Sequence, residues 1–134
     1  MFKSMDEVIN NTVKLGDGRV LGYAEYGDAN GKAVFHFHGS GGSRLEHPLD
    51  LSILTKIGIR FISTDRPGHG ISDPQPNRNL LDWAAAISEL ATKLGIDMEL
   101  LKHVFLGLKE MTTDTEGFAI LLAAGVCIVC VVIC

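Results

Sequence analysis

Residues 36–44 read HFHGSGGSR. They close an apolar run, AVFHFH at 33–38, and open a serine- and glycine-rich loop. Loops of this composition bring backbone N–H groups close to a negative charge. Three charges fit such a loop: a phosphate, a metal-bound anion, or an oxyanion formed during a reaction.

The flanking sequence supplies the frame. AVFHFH reads as a short apolar strand and IRFIST, at 59–64, as a second. Between them Leu51, Leu54 and Ile57 recur at a spacing of three and predict a helix ending near Ile57, with Gly58 as its C-cap and Pro48 in its first turn or the loop before it. Strand, helix and strand with a short return make a βαβ unit, so the two strands should be parallel with a right-handed crossover. Upstream, NTVKL and RVLGYAEY are strands joined by a tight turn at Asp17-Gly18, and their charged residues suit a partly solvated antiparallel edge. Downstream, Asn79 caps a second helix with an apolar stripe of Leu80, Trp83, Ala84, Ile87, Leu90, Ala91 and Leu94, ended by Gly95. HVFLGL, at 103–108, is the next parallel strand. The fold class is α/β: an antiparallel hairpin followed by parallel βαβαβ. The domain is read over 11–108, behind an extension at 1–10 and ahead of a divergent apolar tail at 109–134.

Composition narrows the function. A chain of 134 residues builds one modest domain. Twelve basic residues stand against 16 acidic ones, for a net charge of −4, and no Lys or Arg run stands out. Nucleic acid is therefore not an expected partner. Lys3, Asp6 and Glu7 interrupt the first residues, which argues against a secretory signal and for a cytoplasmic, reducing compartment. Cys127, Cys130 and Cys134 crowd the carboxyl end. They form no disulfide framework, and the apolar tail offers no fourth ligand or polar surroundings for zinc. No metal and no cofactor is expected.

The three charges can be weighed on the residues. A Walker loop needs a Lys that SGGSRLE, after Gly39, does not supply. Gly39 and Gly41 fit the start of a dinucleotide fingerprint, but Arg44 stands where the third glycine belongs; Asp65, near the end of the next strand, keeps that reading open. His36 and His38, two apart on a strand, share a face and have zinc-ligand spacing. The plainer alternative has one histidine packed in the sheet and the other bonded to a loop. An oxyanion hole needs two backbone N–H groups already in place, each worth about 3 kcal/mol in the transition state. A glycine-rich turn at the carboxyl end of a parallel strand stands where open α/β sheets bind ligands.

Three segments now point one way. FHGSGGSRLE resembles the His-Gly-x-Pro-Gly-Ser-Arg loop of α/β-hydrolases. DRPGHGISD, at 65–73, is similar to the Asp-Arg-Pro-Gly-x-Gly-x-Ser-Asp segment of the same superfamily, and LGDGRVLGYAEYGD, at 15–28, to its opening hairpin. The resemblance covers residues 11–97, the amino-terminal half of that fold. It implies a serine-type hydrolase acting on an ester or a related acyl or C–X bond of a small-molecule substrate. It implies an oxyanion loop of His38, Gly39, Ser40 and Gly41, with Ser40 supplying one N–H. Asp65, Arg66 and His69 are implied to be structural, in a rigid turn fixed by Pro67 and its glycines. Gly41 departs from the family, which often has proline there.

The resemblance also implies a nucleophile turn, G-x-S-x-G, after the strand at 103–108. Aligned on Gly107, the nucleophile position holds Lys109 and the last glycine position Met111. Glu110 beside Lys109 opposes the pKa lowering that a lysine nucleophile needs. The family's acid and histidine come later still, and His36, His38, His47, His69 and His103 all precede that place. No catalytic residue is assigned, and an inactive, truncated hydrolase is the expectation; the alternative is a non-catalytic binding or membrane-tethered fragment. The tail FAILLAAGVCIVCVVIC, at 118–134, has 17 uncharged residues. It reads as a short membrane anchor, as a buried strand or helix, or as a translated non-coding stretch, since its residues share T-rich codons. Lacking later strands, the sheet should leave an edge and apolar faces exposed, with poor solubility as the result.

Overall fold

The computed structural model describes residues 8–47, 50–96 and 129–132. In chain order the elements are β1 (Asn11–Lys14), β2 (Val20–Gly27), β3 (Lys32–Phe37), α1 (Leu51–Lys56), β4 (Ile59–Thr64), α2 (Leu80–Lys93) and β5 (Val129–Val132). The sheet order is β1-β2-β4-β3-β5. The β1–β2 and β2–β4 pairs are antiparallel, and β3 and β4 are parallel with Phe35 opposite Ile62. The expected hairpin and βαβ unit are both present. The hairpin turns through Gly18 at φ +90°, and the Asp17 carboxylate accepts from the Arg19 N–H at 3.1 Å.

Strand alternation sends successive side chains to opposite faces, and each face meets its own helix. On one face Leu21, Ala33, Phe35, Phe37 and Ile62 pack with Ala86, Ile87, Leu90 and Ala91 of α2. Burying each of the large members contributes about 1.5–3 kcal/mol. α2 forms because its apolar positions repeat at helical spacing and its first turn is closed by a capping box. The Asn79 side chain accepts from the Asp82 N–H, and the Asp82 carboxylate accepts from the Asn79 N–H. On the other face Ala24, Tyr26, Val34 and Phe61 pack with Leu54 of α1, and Val8 and Ile9 lie against the same cluster. α1 is capped by Asp50, whose carboxylate accepts from the Ser52 N–H at 2.9 Å, a cap that the reading of the sequence did not anticipate.

Two expectations change. Ile57 does not belong to the buried stripe of α1: it is the C-cap and is 64% exposed. The helix ends there because Gly58 takes φ +66° and turns the chain into β4. The edge of β3 is not bare either. β5, drawn from the apolar tail, pairs with it antiparallel from Val34 opposite Val132 to Phe37 opposite Val129. Backbone groups on a strand edge need partners, and the β-branched tail supplies them. The strand read at 103–108, Pro48, and the positions aligned with a nucleophile turn lie outside the described residues. Among the described residues no helix is long and apolar enough to cross a membrane.

Candidate functional site

β3 and β4 end side by side, and the two motif segments leave from those ends. After β3 the chain makes a tight turn in which the Gly42 N–H donates to the Gly39 carbonyl at 3.3 Å. Ser40 and Gly41 are the central residues of this turn and are exposed. Gly41 takes φ +78°. That conformation suits the second central residue of a type II turn and is closed to proline, whose ring holds φ near −65°. No acceptor among the described residues takes the Ser40 N–H.

Both ends of the loop are anchored on the segment after β4. His38 is fully buried; its Nδ1–H donates to the Gly39 carbonyl at 2.8 Å, and its Nε2 accepts from the Arg66 N–H at 3.1 Å. A ring that accepts at Nε2 must be neutral. Burial lowers its pKa, against the pull of the Gly39 carbonyl, so the neutral form is held. At the other end the Arg44 N–H donates to Asp65 Oδ1 at 2.7 Å, and Arg44 Nη1 meets Asp65 Oδ2 at 2.9 Å. Asp65 is fully buried. It also accepts from the Ile71 N–H at 2.9 Å, which closes the DRPGHGISD segment back onto its own first residue. Gly70 is required there, because a Cβ on it would overlap the Asp65 carboxylate and its φ is +51°. Ser72 finishes the turn: its hydroxyl donates to the Asp65 carbonyl at 3.0 Å and accepts from the Gly22 N–H at 2.8 Å. Asp73 takes the Val20 N–H at 2.7 Å, so the segment is also tied to β2.

These contacts decide the competing readings of single residues. Asp65 is engaged by Arg44 and Ile71 and has no place for a ribose. His36 is buried, stacks on Phe61 with ring centroids 5.5 Å apart, and shares a hydrogen bond of 3.1 Å between its Nδ1 and Ser63 Oγ. Its Nε2 lies 3.8 Å from Glu46 Oε2. Burial lowers the His36 pKa, Glu46 opposes that shift, and His38 adds to it. One histidine packs in the sheet and the other bonds to a loop, as the plainer alternative had it. Among the described residues no group of three or more His, Cys, Asp or Glu is placed to hold a metal.

Arg44 is the residue whose importance the sequence left unread. It is 7% exposed and uses all three nitrogens of its guanidinium: besides Asp65 it donates from Nε to the Ile9 carbonyl at 2.6 Å and from Nη2 to Asn10 Oδ1 at 2.7 Å. The signal was an arginine closing a glycine loop, with an aspartate at the end of the next strand. His69 stands near His38 with ring centroids 5.2 Å apart.

Comparison with protein-family models and with curated proteins finds no match. Solved structures do match. An epoxide hydrolase, VrEH1 from Vigna radiata, superposes with a TM-score of 0.57 at 24% identity, over 70% of this chain and 31% of its own. An esterase, EaEST from Exiguobacterium antarcticum, gives 0.57 at 22%, over 66% of this chain and 32% of its own. A Burkholderia cenocepacia protein assigned as an aryl esterase gives 0.54 at 30%, over 64% of this chain and 33% of its own. The chain thus spans about a third of the length of each of these structures. With the hairpin, the parallel β3–β4 pair, and the two loops joined at the strand ends, the described residues form the amino-terminal portion of an α/β-hydrolase fold.

Proposed function

We propose that this chain carries the oxyanion-binding part of an ester or acyl hydrolase site, with the Ser40 N–H as one donor, and that these 134 residues do not turn over ester. The observation that carries the reading is the turn at Gly39–Gly42. It stands at the carboxyl end of a parallel strand and is held at both ends, with the Ser40 N–H left without an acceptor among the described residues. Donors fixed before the reaction are what transition-state stabilisation requires. The inactivity follows from chemistry rather than from the loop. Lys109 and Met111 stand where the resemblance implies a serine and a glycine, and an oxyanion hole without a nucleophile retains little of a hydrolase's rate.

The same contrast favours a second reading, a non-catalytic module that binds an anion or carbonyl group without breaking a bond. Two measurements separate the readings. Hydrolysis of p-nitrophenyl acetate is expected to stay at the buffer rate. Methylphosphonate, a small tetrahedral anion, is expected to shift the Ser40 and Gly41 amide resonances, and Ser40→Pro to abolish the Gly41 shift by removing the donor from a turn position that accepts proline. Ester turnover that Ser40→Pro abolishes would overturn the inactivity and keep the cradle. Amides unmoved by methylphosphonate would overturn the cradle itself.

A further inference from the structure

We propose that Arg44 is a positioning residue that makes the N-terminal segment, residues 8–10, part of the loop's support: its guanidinium bridges that segment to Asp65 and thereby sets the direction of the Ser40 N–H. The inference rests on the reading of the loop as an oxyanion cradle.

The geometry has three parts. First, one side of the guanidinium meets the Asp65 carboxylate, while Nε and Nη2 meet the Ile9 carbonyl and Asn10 Oδ1. The group is planar and rigid, so its partners on the two sides are held in a fixed relation. Arg44 is also buried, and on the Asp65 side, where the bonds are buried too, little water competes and charge-assisted bonds are strong; the bonds to Ile9 and Asn10 are part-buried. Second, the N-terminal segment is docked on its own account. Val8 and Ile9 pack against the cluster of Ala24, Tyr26, Val34, Leu54 and Phe61, and Asn11 Nδ2 donates to the Val8 carbonyl at 2.9 Å. The acceptors offered to Arg44 therefore belong to a wall of the domain. Third, the backbone of Arg44 is itself bound, N–H to Asp65 Oδ1, at the end of a loop whose other end is fixed by His38. Ser40 lies between these two anchors, and a shift of Arg44 passes to it through Gly42 and Ser43.

A lysine at position 44 would keep a positive charge against Asp65, but one ammonium cannot hold a carboxylate, a carbonyl and an amide oxygen in a fork. Arg44→Lys therefore separates charge balance from bridging. Asn10→Ala removes one acceptor and leaves Arg44 and Asp65 intact. Asn10→Asp makes the same bond ionic and should tighten it.

The test is amide exchange and 1H–15N chemical shifts on the full chain. In Asn10→Ala and Arg44→Lys, exchange of the Gly42 amide, bonded to the Gly39 carbonyl, should rise about tenfold, the worth of one charge-assisted hydrogen bond, and the Ser40 and Gly41 resonances should move. In Asn10→Asp the Gly42 amide should exchange more slowly. Amides of Phe35, Ile62 and Ile87 should keep their rates in all three. A loop that ignores Asn10→Ala overturns the proposal, as does a uniform acceleration of every amide, which reports lost stability alone. Should Arg44→Lys fail to fold, the two Asn10 variants decide. The two ideas fail separately: a loop that responds to Asn10 but not to methylphosphonate sinks the oxyanion reading, and a loop that binds methylphosphonate but ignores Asn10 sinks the bridge.

Discussion

The two faces of the same β3–β4 ribbon are built on different principles. The α2 face is apolar at its centre, with Phe35, Phe37 and Ile62 against Ile87 and Leu90, and carries Arg60 and the buried Thr64 only toward the two ends of β4. The opposite face begins apolar near α1, with Val34 and Phe61, and becomes polar toward the strand ends. There His36, Ser63 and, just beyond, Arg44 and Asp65 are all buried. Apolar contacts are interchangeable in kind and give stability by area. The buried polar groups stabilise only while each keeps its partner, and in return they fix direction. One face makes the domain stable, and the other aims the loops that leave it.

The largest tests strike the centre of each face. Phe35→Ala should cost about 3–5 kcal/mol in urea unfolding, through lost burial and the cavity left behind. Asp65→Ala should cost a similar amount, about 3–5 kcal/mol, because the Arg44 charge is left buried without its counter-ion. A second substitution tells the two apart. Adding Arg44→Met to Asp65→Ala should restore part of the loss, whereas no polar partner exists whose removal rescues Phe35→Ala. If the double variant is less stable than Asp65→Ala alone, the ion pair is not the source of the effect.

A smaller effect comes from acid. Burial holds His36 and His38 below 6.5, their unfolded value. Above that pH both rings are neutral in either state, and their contribution to stability is fully present. As pH falls below it the unfolded chain protonates first, so stability is lost as pH falls through the depressed folded values. Melting temperatures between pH 7.5 and pH 5 should therefore decline, and less steeply in His36→Gln; identical slopes would remove His36 from the account.

Next is the cap of α2, which belongs to the apolar face but is polar itself. Asn79→Ala should cost about 1 kcal/mol and spare the loop amides. The smallest effect is expected on the outer side of α1. Ile53 is 49% exposed and Ile57 64%, so Ile53→Ser should change stability by less than about 0.5 kcal/mol. A loss of several times that would mean that Ile53 is covered in solution.

Much of the architecture was legible because its cause is local. The repeat of Trp83, Ile87, Leu90 and Leu94, the Asn79 cap and the Gly95 stop announce α2 without help from the rest of the chain. β3 and β4 announce themselves as short apolar runs bounded by turns. Ile57 misled because a spacing of three says which positions could share a face, and the helix ended before the face was used. The tail left several readings open for a related reason. Its apolar residues fit a membrane, a core or a strand equally well, and only the free edge of β3 selects a strand for Val129–Val132.

By itself, then, the sequence determined the α/β class, the hairpin, the parallel pair and the placement of two glycine-bearing loops at the strand ends, because periodicity, caps and turn residues act over a few neighbours. Only the tertiary structure decided what joins those loops. Arg44 meets Asp65 across 21 positions and Ile9 across 35, and Ser72 meets Gly22 across 50. No local pattern encodes such pairs. They form because a buried charge or N–H must find a partner, and which partner is near is settled by how the sheet brings distant segments together.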